Sequence, residues 1–271
     1  MRYYKLTNFV YRYFFLQNIL LCAGLFFTTL VLLSGFAVGN TNNALHALLP
    51  YESIIYRSGM PYVFAGALCL QALLTTLRCM VDFGRTGGAS ILLLLPGSRR
   101  VMILAFVTAG MLGALMLYAA QTLGLLAAYP SILCSCQDAV DASKSLQLHA
   151  PVARTNGLFL AMLRSDLFHI LLPQSSLETL HTLLLLLAFG GAPAIVLFSS
   201  DQPDKPLSGA ILAISTIALA TYLLCLRGAL LVSDADADVS RLIVKSAWLL
   251  WPLASVCSAI GKRTSKKGGT K

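Results

Sequence analysis

The sequence predicts an all-α, polytopic integral membrane protein with six transmembrane helices and a short cytoplasmic helix between the second and the third. Of the 271 residues, 57% are hydrophobic and only 11% are charged, against roughly 25% charged in a soluble domain. The charged residues also leave long uncharged windows, and about 20 predominantly apolar residues cross a bilayer. A soluble surface would need more charges than this chain has, so the pattern indicates a membrane protein.

Six windows define the predicted spans in chain order. We expect the spans at about 14–37, 61–80, 101–129, 178–199, 207–227 and 242–260. The first five windows are long enough to cross by themselves. The sixth reaches crossing length only when Lys245 extends its ammonium group toward the interface.

The segments between the spans carry their own signals. Residues 1–13 mix aromatic and basic side chains, which predicts an interfacial N-terminal segment ahead of the first span. We expect Pro130 to close the third span. The long outside connection 130–177 should hold one or two short helices, because structureless loops of that length are uncommon. Within the fourth span, Gly190-Gly191 and Pro193 are expected to loosen the helix.

A basic start followed by an apolar run also fits a cleaved signal peptide. Ala37-Val38-Gly39 would then be the small-residue cleavage site. The apolar run is long for such a peptide, and the basic stretch before it is rich in Tyr and Phe. We therefore favour a first span that is retained.

The distribution of basic residues predicts the orientation. With six spans and both termini cytoplasmic, 13 of the 20 Lys and Arg residues fall on the inside, as the positive-inside bias requires. The tail 261–271 then acts as a basic cytoplasmic anchor, and no nucleic acid is expected as a partner. We expect the protein in a cell membrane of a bacterium.

The motifs for chemistry on this chain are incomplete. Asp234, Asp236 and Asp238 alternate like the start of a calcium loop, but the glycine and the bidentate glutamate that such a loop needs are missing. Cys134 and Cys136 stand too close together for a zinc site. We therefore expect no metal site, no bound cofactor and no catalytic residue, so the protein is not predicted to be an enzyme.

The glycine-rich stretch 84–90 is not a phosphate loop, because the lysine that reaches the phosphates is missing. If this protein uses ATP, the ATPase must be a separate polypeptide. ATP and Mg²⁺ would then bind to that partner chain.

Polar residues at membrane depth are candidates for a substrate pathway. Gln71, Gln121 and Tyr222 lie within predicted spans and are uncharged. For Gln71 and Gln121 we favour a simpler role, which is hydrogen bonding between helices.

The segment 85–100 is the most specific feature of the chain. Only 13 uncharged residues separate Arg85 from Arg99, too few to cross a bilayer. Its leucine run 92–95 would be unfavourable in water, which suggests that a partner covers it. The alternative is a helix that lies in the lipid surface with no partner.

Leu94-Leu95-Pro96-Gly97-Ser98-Arg99-Arg100, followed at once by a span, resembles the segment after the second span in ABC-2-type permeases. These are the membrane subunits of ATP-binding-cassette exporters. The resemblance implies a coupling helix that docks into a cleft on a separate ABC ATPase subunit. The implied ATPase contacts are Arg85, Leu92, Leu95, Pro96, Gly97, Ser98, Arg99 and Arg100.

The same resemblance implies a permease subunit that works with a second copy or a paralogous permease subunit, surrounded by membrane lipid. The long outside connection departs from the family pattern, since the family has its apolar outside segment before the fifth or sixth span. An alternative is a secondary transporter or channel-like protein with no ATPase partner. The absence of intramembrane carboxylates from the sequence argues against that alternative.

Overall fold

The computed structural model describes residues 2–85, 99–142, 150–155, 158, 176–198, 206–230 and 247–249. Across this part of the chain the secondary structure is helical and contains no strands. The helices are α1 (Arg2–Gly39), α2 (Ala44–Leu48), α3 (Tyr51–Arg57), α4 (Met60–Cys79), α5 (Arg99–Ala142), α6 (Val152–Thr155), α7 (Ser176–Phe198) and α8 (Pro206–Leu230). A π-helix (Met80–Arg85) continues α4, and a 3₁₀ turn covers Ala247–Leu249.

Five of these helices are long and apolar enough to cross a membrane, and each covers one of the first five predicted spans. The five segments are Tyr3–Gly39, Met60–Asp82, Val101–Ala142, Thr179–Leu197 and Gly209–Leu226. The sixth predicted span, 242–260, lies outside the described residues except for Ala247–Leu249.

The first helix includes residues 2–13 together with the first predicted span, and the interfacial position expected for the segment 1–13 stays a prediction. Arg2–Gly39 is one helix of 38 residues, about 57 Å along its axis at about 1.5 Å per residue. A hydrocarbon core is roughly 30 Å thick. The helix therefore either extends into the headgroup layer or tilts strongly. Lys5 and Arg12 are exposed, which fits an extension of the helix into the headgroup layer.

Helix α5 does not end at Pro130, where we expected the third span to close. Arg99–Ala142 is one helix with Pro130 inside it. The exposed side chains between Val101 and Pro130 are apolar, and most of them are leucines such as Leu112 and Leu123. After Pro130, the exposed positions are polar or small, namely Ser131, Cys134, Asp138, Asp141 and Ala142. The exposed face thus changes from lipid-compatible to water-compatible at Pro130, while the helix continues.

The loosening that we expected in the fourth span does not end the helix, and its effect within the helix stays a prediction. Helix α7 is continuous from Ser176 to Phe198 with Pro193 inside it. It is the most buried of the five apolar segments, with 72% of its apolar window inside the protein against 17% for α1.

The described residues fall into two compact units. The first comprises Met1–Ile19, Ala65–Met116 and Leu180–Lys271, and the second comprises Leu20–Phe64 and Leu117–Thr179. In the second unit, the Asn43 side chain caps α2 by accepting a hydrogen bond from the Leu45 N–H, 3.0 Å away. Gly59 then turns the chain into α4 with a φ of 76°, which glycine adopts without strain.

Candidate functional site

The residues expected to contact an ATPase lie at the edge of the described chain or beyond it. Arg85 ends the π-helix, and Arg99 and Arg100 begin α5. The other five, at positions 92 and 95–98, lie outside the described residues. The structure therefore describes the two ends of the predicted coupling helix, which are the end of α4 and the start of α5.

A polar cluster formed by Tyr13, Arg78 and Asp82 lies at the end of α4, in the first unit. The Tyr13 hydroxyl donates a hydrogen bond to Asp82 Oδ2. The Arg78 guanidinium carbon lies 4.2 Å from the centre of the Tyr13 ring. Arg78 Nε is 3.6 Å from the same Asp82 oxygen. Each member of this Tyr13 cluster thus contacts the other two.

The electrostatics of the Tyr13 cluster suit the edge of a span. The Arg78 and Asp82 side chains are 39% and 44% exposed, so both charges keep part of their hydration. A partly exposed ion pair contributes only about 0–1 kcal/mol, and the cation over the tyrosine ring adds about 0.5–1 kcal/mol. The cluster therefore brings a complete ion pair to the end of α4 and fixes it on α1.

An apolar cluster packs near the same ends of α4 and α5. Its buried members come from four helices and are Val10, Phe14, Cys79, Phe106, Val107, Ala109 and Ala194. Cys79 is the last residue of α4, and Phe106 lies in the second turn of α5. The Tyr13 side chain packs against this cluster. Both flanks of the segment 86–98 are thus held by α1.

Gln71, a predicted pathway residue, makes a hydrogen bond between helices. Its Nε2 donates to Asn18 Oδ1 on α1 over 3.3 Å, and both side chains are buried. A Cβ at Gly113 of α5 would collide with Gln71 Nε2 and lie 2.9 Å from Asn18 Nδ2. Glycine at that position leaves room for the amide pair where three helices meet.

Gln121, the second predicted pathway residue, belongs to the other unit. The Thr29 hydroxyl of α1 lies 3.0 Å from Gln121 Oε1 and 2.7 Å from the Leu25 carbonyl, so its one proton is shared between two acceptors. Gln121 Nε2 lies 3.4 Å from the Met60 sulfur of α4. Gln121 is only 1% exposed. Each glutamine is therefore accounted for by local contacts between helices. Their role in a substrate pathway stays a prediction.

Tyr222, the third predicted pathway residue, faces outward. It lies on α8 with 55% of its surface exposed. Its role in a substrate pathway stays a prediction. Lipid contact is the environment that its position on an apolar helix favours.

A buried histidine lies at the junction of α1, α2 and α5 in the second unit. Ser135 of α5 donates its hydroxyl proton to the Ala37 carbonyl over 2.8 Å, so its oxygen is left to accept from His46 Nε2, 3.2 Å away. His46 Nδ1 is buried without a hydrogen-bond partner among the described residues. Desolvation lowers the pKa of His46 from its usual 6.5. Burial thus favours the neutral imidazole over the charged one at this position.

Metal chemistry finds no support in the described residues. No group of three or more His, Cys, Asp or Glu side chains gathers there. Cys134 is exposed and Cys136 is buried, and neither forms a disulfide. The alternating aspartates at 234, 236 and 238 lie outside the described residues.

Sequence reasoning missed Asn18 and the Tyr13 cluster. Asn18 is an amide within the first predicted span, so the rule that selects Gln71 also selects Asn18. The Tyr13 cluster had no comparable signal, since Tyr13 and Asp82 are 69 positions apart and each looked like an ordinary residue at a span boundary.

Comparison with known proteins finds no match, whether among protein-family models, curated proteins or solved structures. The function must therefore be argued from the residues and the geometry of this chain alone.

Proposed function

We propose that this protein is the membrane permease subunit of an ABC exporter, which couples ATP hydrolysis on a separate ATPase subunit to translocation of a substrate. Two copies, or one copy and a paralogue, would form the pathway. The observation that carries the proposal is the segment 94–100, Leu-Leu-Pro-Gly-Ser-Arg-Arg, between two apolar helices. It is too short to cross, and it ends in two cations that precede a span.

The packing near the segment supports this proposal. Cys79 and Phe106 flank the segment on its two sides and belong to one buried cluster with Val10 and Phe14. A partner that pushes on the segment would thus act on α1, α4 and α5 together. Packed helices transmit such a displacement as units rather than deforming continuously.

Co-purification with an ABC ATPase subunit of the same organism tests the proposal. The wild-type protein should retain the ATPase and show substrate-stimulated ATP hydrolysis. The double variant Arg99→Glu, Leu95→Asp should lose both, because it reverses a charge and places a carboxylate in the apolar contact. Lys267→Glu with Thr270→Asp makes the same change of charge in the basic tail and should keep both. Retention of the ATPase by the Arg99, Leu95 variant would contradict the assignment.

A further inference from the structure

The N-terminal part of α1 has one face packed on protein and another face exposed. On the packed face, Val10 and Phe14 are buried and belong to the apolar cluster. The Tyr3 hydroxyl donates a hydrogen bond to the Thr108 hydroxyl of α5 over 3.0 Å. These contacts fix the rotation of this part of α1, so its other face is held outward.

The outward face carries two cations, Lys5 and Arg12, and both are exposed. Their separation is about two helical turns, so they lie on the same side of α1 and about 10.5 Å apart along its axis. Phe9 lies between them on that side and is also exposed. Because a helical side chain leans toward the helix N-terminus, the Arg12 guanidinium can reach back past Phe9. The two positive groups can therefore approach one anion from both sides.

The protein does not neutralise either of these cations. No Asp or Glu precedes Glu52 in the sequence, so α1 has no carboxylate of its own. Among the residues that the structure describes, neither Lys5 nor Arg12 has an ion-pair or hydrogen-bond partner. An anion that binds between them thus meets no competing carboxylate from α1.

Beyond Arg12 the same face of α1 is apolar. Large hydrophobic side chains are exposed at Leu16, Ile19, Leu20 and Phe27, at the spacing of one helical face. A phospholipid has the matching distribution, because its phosphate is charged and its acyl chains are apolar. The stripe of two cations followed by apolar side chains is therefore complementary to a phospholipid aligned with α1.

We propose that Lys5, Arg12 and the apolar face that follows them bind one anionic phospholipid, with its phosphate between the two cations and its acyl chains along α1 toward Phe27. The site goes beyond the proposed function and does not depend on it, since it needs no ATPase. Lysine and arginine both make charge-assisted hydrogen bonds to phosphate. Each such cation near an anionic lipid strengthens binding about fivefold.

A simpler role for the two cations is to extend their charged groups into water. That role gives no preference among lipid headgroups. Phosphatidylglycerol and phosphatidylcholine distinguish the two roles, because both carry a phosphate and only the first has a net negative charge. A site built from two unpaired cations should prefer phosphatidylglycerol.

Native mass spectrometry of the full chain in detergent, titrated with either lipid at matched acyl chains, measures the Kd of the first bound lipid. The wild-type protein should bind phosphatidylglycerol about 25-fold more tightly than phosphatidylcholine. Lys5→Gln and Arg12→Gln should each weaken phosphatidylglycerol binding about fivefold, and the double variant about 25-fold. Glycerophosphoglycerol, the same headgroup without acyl chains, should not displace the lipid at an equal concentration, because it cannot use the apolar face.

Arg57→Gln is the matched control, because it also removes one exposed cation, at the end of α3. Its affinity for phosphatidylglycerol should stay within about twofold of wild type. Lys5→Arg keeps the charge and should keep the affinity. Unfolding midpoints measured without phosphatidylglycerol should be the same in all these variants, because the substituted positions are exposed.

Equal affinity of the wild-type protein and the Lys5, Arg12 double variant for phosphatidylglycerol would overturn the inference. An equal loss in Arg57→Gln would also overturn it, since net charge rather than this site would then set the affinity. If the double variant instead changed the mass of the protein assembly, the outward face would be an interface between copies of this chain, and the lipid site would be wrong.

Discussion

Two polar side chains on α1 pair with glutamines on the helices that pack against it. Asn18 bonds to Gln71 of α4, and Thr29 bonds to Gln121 of α5. Asn18 belongs to the first unit and Thr29 to the second, so each contact is described by itself. Hydrogen bonds between membrane helices contribute about 0.6 kcal/mol on average and up to about 1.7 kcal/mol. Their main contribution is to fix the rotation of α1, since any other face would leave the amides unpaired.

At the scale of one residue, His46 predicts acid sensitivity of the fold. Its pKa is lowered in the folded protein by burial, so the unfolded chain takes up the proton first as pH falls. Stability from this group is therefore present above the usual value of about 6.5 and is lost as pH falls below it. The loss reaches at most about 1.36 kcal/mol per pH unit for one proton. Thermal unfolding midpoints between pH 8 and pH 5 measure it.

His46→Gln isolates this contribution, because the glutamine amide can still donate to Ser135 and does not titrate. We expect a shallower decline of the midpoint in acid for this variant than for wild type. Ser135→Ala should lower the midpoint at every pH and leave the acid decline in place. Identical acid declines in wild type and His46→Gln would show that His46 does not carry the effect.

At the scale of the element, α5 shows that the end of an apolar segment and the end of a helix can lie at different residues. Sequence reasoning placed both at Pro130. Composition predicted where the apolar part ends, and the exposed face does change character at Pro130. The helix itself continues to Ala142. Uncharged windows mark the bilayer, because lipid excludes charge, but they do not mark where backbone hydrogen bonding stops.

Close contact between α5 and α7 predicts a strong effect of two alanine substitutions. A Cβ at Gly110 would lie 2.6 Å from Gly190 Cα, and a Cβ at Gly190 would lie 2.9 Å from the backbone of Val107 and Met111. Backbone atoms cannot move aside as a side chain end can, so the helices must separate. Gly110→Ala and Gly190→Ala should each cost about 1–3 kcal/mol, measured by denaturant unfolding in detergent.

Gly66→Ala on α4 is the matched control for those two variants. Nothing lies within 4 Å of a Cβ at that position, and alanine has the higher helix propensity. Its stability should therefore be unchanged or slightly raised. Because the two glycines share one contact, the double variant should cost less than the sum of the single ones. Strict additivity would mean that they act separately.

At the scale of the whole molecule, the positions of five helices long and apolar enough to cross a membrane followed from charge-free windows. The contacts between helices did not. Gln71 and Gln121 were selected because an amide in an apolar helix is conspicuous in a sequence, and both are buried in contact with other helices. Their partners were not identified, because pairing depends on which faces meet after folding. Tyr13 and Asp82 illustrate the same limit, since no local pattern joins a tyrosine in α1 to a carboxylate at the end of α4.

The predicted orientation can be tested through Cys134, which is exposed on the polar part of α5 beyond Pro130. With both termini cytoplasmic, α5 starts inside and ends outside, so a membrane-impermeant maleimide should label Cys134 in intact cells. Cys134→Ser should abolish that labelling, whereas Cys136→Ser should keep it, because Cys136 is buried.

Thr270→Cys in the Cys134→Ser background places a thiol in the basic tail and should react only after the cells are permeabilised. The opposite pattern, with the tail labelled first, would reverse the topology. The segment 85–100 would then face away from any cytoplasmic ATPase, and the proposed coupling would be impossible.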